Sequence, residues 1–242
     1  MITRNYLISL AIKYEGEYGK IINAIKNKED VLEVSGINCL TILDEKYPPS
    51  FRQLSLPPLV LFYKGNLDLL KDEKIGVVGS RNPSDYALKA TRDLTKNKSD
   101  KVIVSGLAKG IDGTAHRYAT KTIGILGCGI DYIYPYSNKD LYLKMEKEGL
   151  LLSEYPYFTK PLAYHFPFRN RLIAALVSEL YIMELKEKSG TMTSVNEALE
   201  LGKDVKVLPF DVYLSKEVYN NHLIHEGAQI ISESDISIDK TR

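Results

Sequence analysis

Glycine, hydroxyl and cationic residues gather in a few short segments of this chain, in spacings that suit a phosphate. Gly79-Ser80-Arg81 directly follows an apolar run and precedes a helical pattern by a few residues. Glycine lets a backbone come close to an anion, a helix start offers free N–H donors, and Arg81 brings a planar fork of donors. A tight turn with a solvent-facing arginine has the same pattern. Ser105-Gly106-Leu-Ala-Lys109-Gly110-Ile-Asp112 repeats the theme, with Lys109 projecting from the loop and Asp112 suited to cap the helix that follows. Phe166-Pro167-Phe168-Arg169-Asn170-Arg171 precedes an apolar helical run. There the guanidinium groups suit phosphates, the rings suit bases and the amide suits base edges. A helix start with solvated arginines and core phenylalanines fits the same residues. Ser189-Gly190-Thr191 forms a further anion-binding helix start or a plain N-cap, with Glu197 further along that helix.

Other chemistry finds less support. The Gly-x4-Gly-Lys-Ser/Thr spacing of a nucleotide triphosphate loop is absent, which removes the main argument for an ATPase. Gly127-Cys128-Gly129 opens like a dinucleotide fingerprint but lacks the third glycine. The adjoining Tyr132-Ile-Tyr134-Pro135-Tyr136 cannot open a helix promptly, so no cofactor is expected. The histidines are His116, His165, His222 and His225. His222 and His225 can share a helical face, but no carboxylate pattern completes a metal set, and no metal is expected. Ser105 lies outside a Gly-x-Ser-x-Gly turn, and the residues offer no catalytic triad.

The elements that position these loops follow from hydrophobic periodicity. Residues 1–45 read as a short helical region: Tyr6, Leu7, Leu10, Ala11 and Tyr14 repeat at helix spacing, and Ile21, Ile22 and Ile25 begin a second stripe. Val31 to Leu43 reads as one or two further short helices. Proline pairs at Pro48-Pro49 and Pro57-Pro58 punctuate the chain, and a strand follows at Leu59 to Tyr63. From residue 74 the pattern alternates. Strands are expected at Ile75–Val78, Val102–Val104, Ile123–Leu126, Leu150–Leu152, Leu180–Met183, Val205–Leu208 and Gln229–Ile231. Helices are expected at Asp85–Leu94, Asp112–Tyr118, Leu141–Glu148, Arg171–Val177, Thr193–Leu201 and near His222. Short apolar strands alternating with helices predict an α/β domain over 46–242, with a mostly parallel sheet covered on both faces. All the glycine and arginine loops then follow or flank strands of one sheet and converge on one rim. Leu223, Ile224 and Ile231 are either core or a surface for a second copy.

The bulk properties narrow the setting. The chain has 242 residues, 44% hydrophobic and 26% charged, with a formal net charge of +1. Any nucleic-acid site must therefore be a local patch with salt-sensitive affinity. Cys39 and Cys128 sit far apart in apolar runs and read as buried thiols of a reducing cytosol. The first residues lack a signal-peptide pattern, and no apolar run approaches the roughly 20 residues that cross a bilayer. A cytoplasmic location is expected.

The order of the loops resembles the DNA-processing protein A (DprA/Smf) family over about residues 47–232. Gly79-Ser-Arg81, Ser105 to Asp112, Gly127-Cys-Gly-Ile-Asp131 with Tyr134-Pro135, Ser153-Glu154, Phe166 to Arg171 and Ser189-Gly-Thr191 all occur in that family in this order, as does a closing segment like Asn221 to Ala228. The resemblance implies an extended Rossmann-like fold that binds single-stranded DNA without sequence preference. It implies a homodimer that loads the RecA recombinase onto DNA in natural transformation and homologous recombination, without catalysis. By motif, Arg81, Lys109, Arg169 and Arg171 hold phosphates. Gly79, Ser80, Gly106, Gly110 and Ser189 to Thr191 supply backbone or hydroxyl donors. Asn170 belongs to the same motif, Phe166 is the candidate for base stacking and Phe168 a weaker one. Departures from the pattern are Phe210 after Pro209, where the family has Pro-Gly, and a shortened segment from His116 to Ile123. The N-terminal region is also short, and the sequence stops near residue 242 without a winged-helix extension. The alternative is a nucleotide-binding or phosphoribohydrolase-like enzyme on a related fold. Ser189-Gly-Thr191 with Glu197 resembles its phosphate loop and acid, although the usual Gly-Gly-x-Gly-Thr is missing. A module that only binds a protein partner is a third reading.

Overall fold

Apolar runs of four to six residues form the centre of the fold, and their burial on both sides explains why they lack a polar alternation. A computed structural model describes residues 2–32, 34–186, 189–213 and 218–236. Its strands are β1 (Cys39–Thr41), β2 (Val60–Gly65), β3 (Lys74–Val78), β4 (Val102–Ser105), β5 (Lys121–Leu126), β6 (Leu150–Ser153), β7 (Glu179–Ile182), β8 (Asp204–Val207) and β9 (Gln229–Ile230). They make one nine-stranded sheet in the order β1-β2-β6-β5-β4-β3-β7-β8-β9. From β6 to β9 every neighbouring pair is parallel, while β2 pairs antiparallel with both β6 and β1.

The helices are α1 (Arg4–Lys13), α2 (Tyr18–Lys26), α3 (Asp85–Asn97), α4 (Ile111–Tyr118), α5 (Lys139–Glu148), α6 (His165–Leu176), α7 (Thr191–Glu200), α8 (Asn220–His225) and α9 (Glu233–Ile236). Alternate strand residues serve opposite faces. Val102 and Val104 of β4 pack with Leu172 to Leu176 of α6 and with Val195 and Ala198 of α7. Ile103 turns the other way, to Ala87, Ala90 and Leu94 of α3 and Ala115 of α4. Beside that second layer, Leu7, Ile8, Leu10, Ile21 and Ala24 of α1 and α2 share a core with Leu141, Tyr142 and Met145 of α5.

The topology fixes where a ligand goes. From β3 the chain steps outward through β4, β5 and β6, then returns by α6 to β7 on the other side of β3. This reversal leaves a crevice between the carboxyl ends of β3 and β7, the usual ligand position in open α/β sheets.

Some expectations need correction. Within Val31 to Leu43, Cys39–Thr41 is a strand: its backbone groups are satisfied by β2, with Leu40 opposite Leu61, and its residues are buried. Pairing with a sheet edge outweighs the local pattern there. The helix expected from Arg171 begins at His165, because Pro167 falls in the first turn, where a missing N–H costs nothing. The following helix begins at Thr191 rather than Thr193. Leu223 and Ile231 are core residues. The shortened segment leaves only Ala119 and Thr120 between α4 and β5. Phe210 meets Tyr86 edge-on at 5.2 Å, and its amide and carbonyl are both held by the Asn221 side chain. Among the described residues no helix is long and apolar enough to cross a membrane.

Leu94 is fully buried between α3 and the sheet. Leu94→Ala is expected to cost about 2–5 kcal/mol, read as a lower urea midpoint with an unchanged slope.

Candidate nucleic-acid interface

The crevice between β3 and β7 opens into a cleft of about 650 Å³. Three loops make its walls, and backbone hydrogen bonds stitch them together. The Ser80 amide donates to the Glu184 carbonyl at 2.7 Å, and the Ile111 amide donates to the Ser80 carbonyl at 3.1 Å. The buried Glu184 carboxylate accepts from the Ser84 amide and hydroxyl at 2.8 and 2.7 Å, which ties β7 to the start of α3. Gly110 closes the join: its φ is +74°, and a Cβ there would lie 2.4 Å from the Ser80 carbonyl oxygen. The backbone around Gly79, Ser80 and Gly110 therefore approaches other backbone.

Helix α6 supplies the floor. Phe166, Arg169 and Asn170 are three and four positions apart and share one face, and all line the cleft. Arg169 is buried and donates through Nη1 to the Gly106 carbonyl at 2.8 Å and also to the Ile125 carbonyl. It thereby joins α6 to the ends of β4 and β5. Burial works against the Arg169 charge, and the Asp112 carboxylate supports it. Burial pushes Asp112 up, and the Arg169 guanidinium and loop amides pull it back. Asp112 is not the helix cap. It sits in the first turn of α4 and accepts from the Gly106 amide at 3.1 Å. Asn170 Nδ2 donates to the Gly190 carbonyl at 2.9 Å, and Thr191 Oγ1 lies 3.4 Å from the Gly79 carbonyl, so the start of α7 is bound to the same rim.

The mouth of the cleft is a layered set of flat groups. The Arg81 guanidinium carbon lies 5.4 Å from the Phe166 ring centre, and Phe166 lies 5.5 Å from the Tyr134 ring. Arg81 is exposed and pairs with no carboxylate among the described residues. Phe166 is half-buried and rests on Gly127, where a Cβ would come within 2.8 Å of the ring. Gly127 is thus a seat for the Phe166 ring, and Gly129 packs against the backbone of Tyr157 and Thr159. Lys186 and Ser189 complete the lining.

The remaining expected site residues are placed elsewhere. Gly106 is buried under Arg169, Gly110 is locked in the loop join, and Lys109 faces a neighbouring groove. Arg171 is two residues beyond Arg169 and so points about 200° around the helix. It makes a two-pronged ion pair with the buried Glu154 at 2.6 and 2.7 Å, donates to the Leu56 carbonyl, and stacks on Phe168 at 3.7 Å. Its guanidinium is occupied by the fold, which corrects the phosphate role expected for it, and Phe168 is its companion rather than a base platform. Sequence reasoning passed over Glu184, Tyr134 and Lys186 as site residues; the signal for Tyr134 was the tyrosine-rich loop after β5.

A buried histidine braces the site without facing it. His116 Nε2 accepts from the Leu107 amide at 3.3 Å, so Nδ1 carries the proton and donates to Thr122 Oγ1 at 2.6 Å. Burial and the Arg169 charge hold His116 down at about 3. Cys39 and Cys128 are buried free thiols, and burial pushes Cys128 up to about 12. Among the described residues no group of three or more His, Cys, Asp or Glu is placed to hold a metal ion.

Comparison with known proteins matches residues 38–241 to the model of DNA recombination-mediator protein A. The chain belongs to that family. It is 40% identical to the DNA processing protein DprA of Bacillus subtilis, over 95% of this chain and 79% of that protein. It is 42% identical to the DprA of Streptococcus pneumoniae, over 79% of this chain and 70% of that protein. The X-ray structure of the S. pneumoniae DprA superposes with a TM-score of 0.82 at 33% identity, covering 97% of each chain. A Helicobacter pylori DprA, whose structure is described as showing a single-stranded DNA binding mode, superposes with a TM-score of 0.75 at 34% identity, over 82% of this chain and 93% of that one. The recombination-mediator match takes in β1 and every residue of the cleft, while α1 and α2 precede it.

Because Arg171 and Glu154 are both buried, Arg171→Ala and Glu154→Ala are each expected to cost about 3–5 kcal/mol of stability by leaving one charge unpaired, measurable by urea unfolding. His116 adds a pH dependence. The unfolded chain takes up its proton near pH 6.5 and the folded chain does not until about 3. Its contribution is present above pH 6.5 and is lost as pH falls toward 3. Stability measured from neutral to acid pH should decline over that window, with a shallower decline in His116→Gln.

Proposed function

We infer that this chain binds single-stranded DNA, without sequence preference, in the cleft between β3 and β7. In this reading it works as a cytoplasmic homodimer that loads a RecA-type recombinase onto the strand, in natural transformation and homologous recombination. The observation that carries the reading is the mouth of the cleft. Arg81, unpaired among the described residues, lies over a half-buried Phe166 whose other neighbour is Tyr134. A guanidinium for phosphate beside rings for bases is the combination that holds a strand without reading it. Arg81 and Arg169 face a single lining carboxylate among the described residues, Asp112, in the cleft, although the whole chain carries only +1. Membership of the recombination-mediator family supports the role in recombination, and the single-stranded DNA binding mode described for the H. pylori protein supports the choice of single strands.

The reading is one of binding rather than catalysis. Glu197, the acid that a phosphoribohydrolase would need, does not line the cleft. Asp112, which does, is engaged by the loop amides and Arg169.

Fluorescence anisotropy of a labelled single-stranded oligonucleotide tests the reading. Arg81→Ala should weaken binding about equally across sequences and reduce the salt slope by about one unit. Phe166→Ala should cost roughly 1–3 kcal/mol of binding. Folded wild-type protein that fails to bind at low salt would overturn it.

A further inference from the structure

The turn between α1 and α2 is pressed against the start of α6. Gly16, with a φ of +79°, leaves no room for a side chain: a Cβ there would lie 2.5 Å from the Glu154 carbonyl oxygen and 3.1 Å from the Tyr155 ring. Glu154 is the residue whose carboxylate holds Arg171 of α6. The next residue of the turn, Glu17, stands at the N-cap of α2 and makes no capping bond there. Its carboxylate reaches instead to the residues that open α6. The Tyr164 hydroxyl donates to Glu17 Oε1 at 2.5 Å, and His165 Nε2 lies 3.5 Å from the same oxygen.

His165 is the wedge of this joint. It is buried, stacks on the Tyr155 ring at 3.9 Å and meets the Tyr164 ring edge-on at 4.6 Å. Its Nδ1 has no hydrogen-bond partner among the described residues, so the contact with Glu17 sets the direction of the ring. The next residue is Phe166, over whose ring Arg81 lies. Phe166 rests on Gly127 and Tyr134 and has no polar group of its own to fix it. A helix start is poorly secured by its own backbone bonds, and α6 has no side-chain cap at Tyr164. The helical hairpin α1–α2 supplies from outside the restraint that a cap would give.

We propose that Glu17 is a positioning residue for the binding cleft: through Tyr164 and His165 it fixes the first turn of α6, and with it the angle at which Phe166 presents its ring at the mouth. Glu17 does not line the cleft, and its charge would repel a phosphate. Its effect on a bound strand therefore passes through Phe166. This inference rests on the reading that the cleft holds single-stranded DNA, and it gives the N-terminal helices a part in that binding.

Anisotropy titrations with a labelled oligothymidylate would compare wild type, Glu17→Ala, Glu17→Gln, Phe166→Ala and the double variant Glu17→Ala with Phe166→Ala. The urea midpoint of each, measured alongside, separates loss of fold from loss of binding. Glu17→Ala should weaken binding by roughly threefold to tenfold. Its salt slope should match wild type, since no phosphate contact is lost. Glu17→Gln should bind like wild type, because its amide oxygen accepts from Tyr164 and His165 as the carboxylate does. Both variants remove the charge, so the difference between them isolates the acceptor. In the Phe166→Ala background Glu17→Ala should have no further effect, because the ring it positions is gone. Tyr164→Phe removes one arm of the contact from an exposed ring and should weaken binding in the same direction. Wild-type affinity of folded Glu17→Ala would make the joint a matter of stability alone and overturn the proposal. Tighter binding would mark Glu17 as a charge that only repels the strand, and an equal loss with and without the Phe166 ring would show another route; either result also overturns it. Failure of the cleft reading looks different: wild type does not bind the strand, or Phe166→Ala binds as wild type does, and the proposal then falls with that reading.

Discussion

A single buried guanidinium holds the site together. Arg169 enters from α6, runs beneath the loop after β4 and donates to the carbonyls of Gly106 and Ile125. A charge so far from water is tolerated only because carbonyl oxygens and the Asp112 carboxylate surround it. Asp112 in turn secures the Gly106 amide, and His116, kept neutral by the same burial, secures the amide of Leu107. The loop that separates the cleft from the groove is therefore fixed from below. This leaves its upper side, and Arg81 across the join at Ser80, free to meet a ligand from a rigid base.

Helix geometry divides the labour within one motif. In the run from Phe166 to Arg171, Phe166, Arg169 and Asn170 share the face turned to the cleft, and the pair Phe168 and Arg171 turns to the body of the protein. The two arginines have the same chemistry and opposite duties. One is a brace beneath the binding surface. The other is neutralised by Glu154 and anchors α6 to the Leu56 carbonyl. The exposed cation Arg81 sits on a loop at the cleft, where it costs little to keep it hydrated. Such an arrangement explains how a chain of nearly zero net charge can present a local basic cleft.

Much of this was legible in the residues, and the exceptions have physical causes. The parallel sheet followed from continuous apolar runs, because strands buried on both faces need no polar alternation. The convergence of loops on the crevice between β3 and β7 followed from their places after strands. Residues Gly79 to Arg81, Phe166, Arg169, Asn170 and Ser189 to Thr191 do line that crevice, whereas Gly106, Gly110, Lys109 and Arg171 do not. The misplacement of Arg171 came from starting the helix too late: without knowing that Pro167 occupies a first turn, the angular position of each later residue was undefined. β1 was missed because a three-residue strand has no periodicity of its own and exists through β2. Glu184 and Glu154 gave little signal, since a buried carboxylate looks like a surface one until its partner from elsewhere in the chain is known.

Photo-cross-linking shows directly where a bound strand lies. An oligonucleotide carrying 4-thiothymidine at successive positions would be irradiated with the folded protein and the adducts mapped by mass spectrometry. Binding in the cleft predicts adducts on the peptides that contain Arg81, Tyr134 and Phe166. Adducts confined to α8, α9 or the N-terminal helices, with none on those peptides, would contradict it.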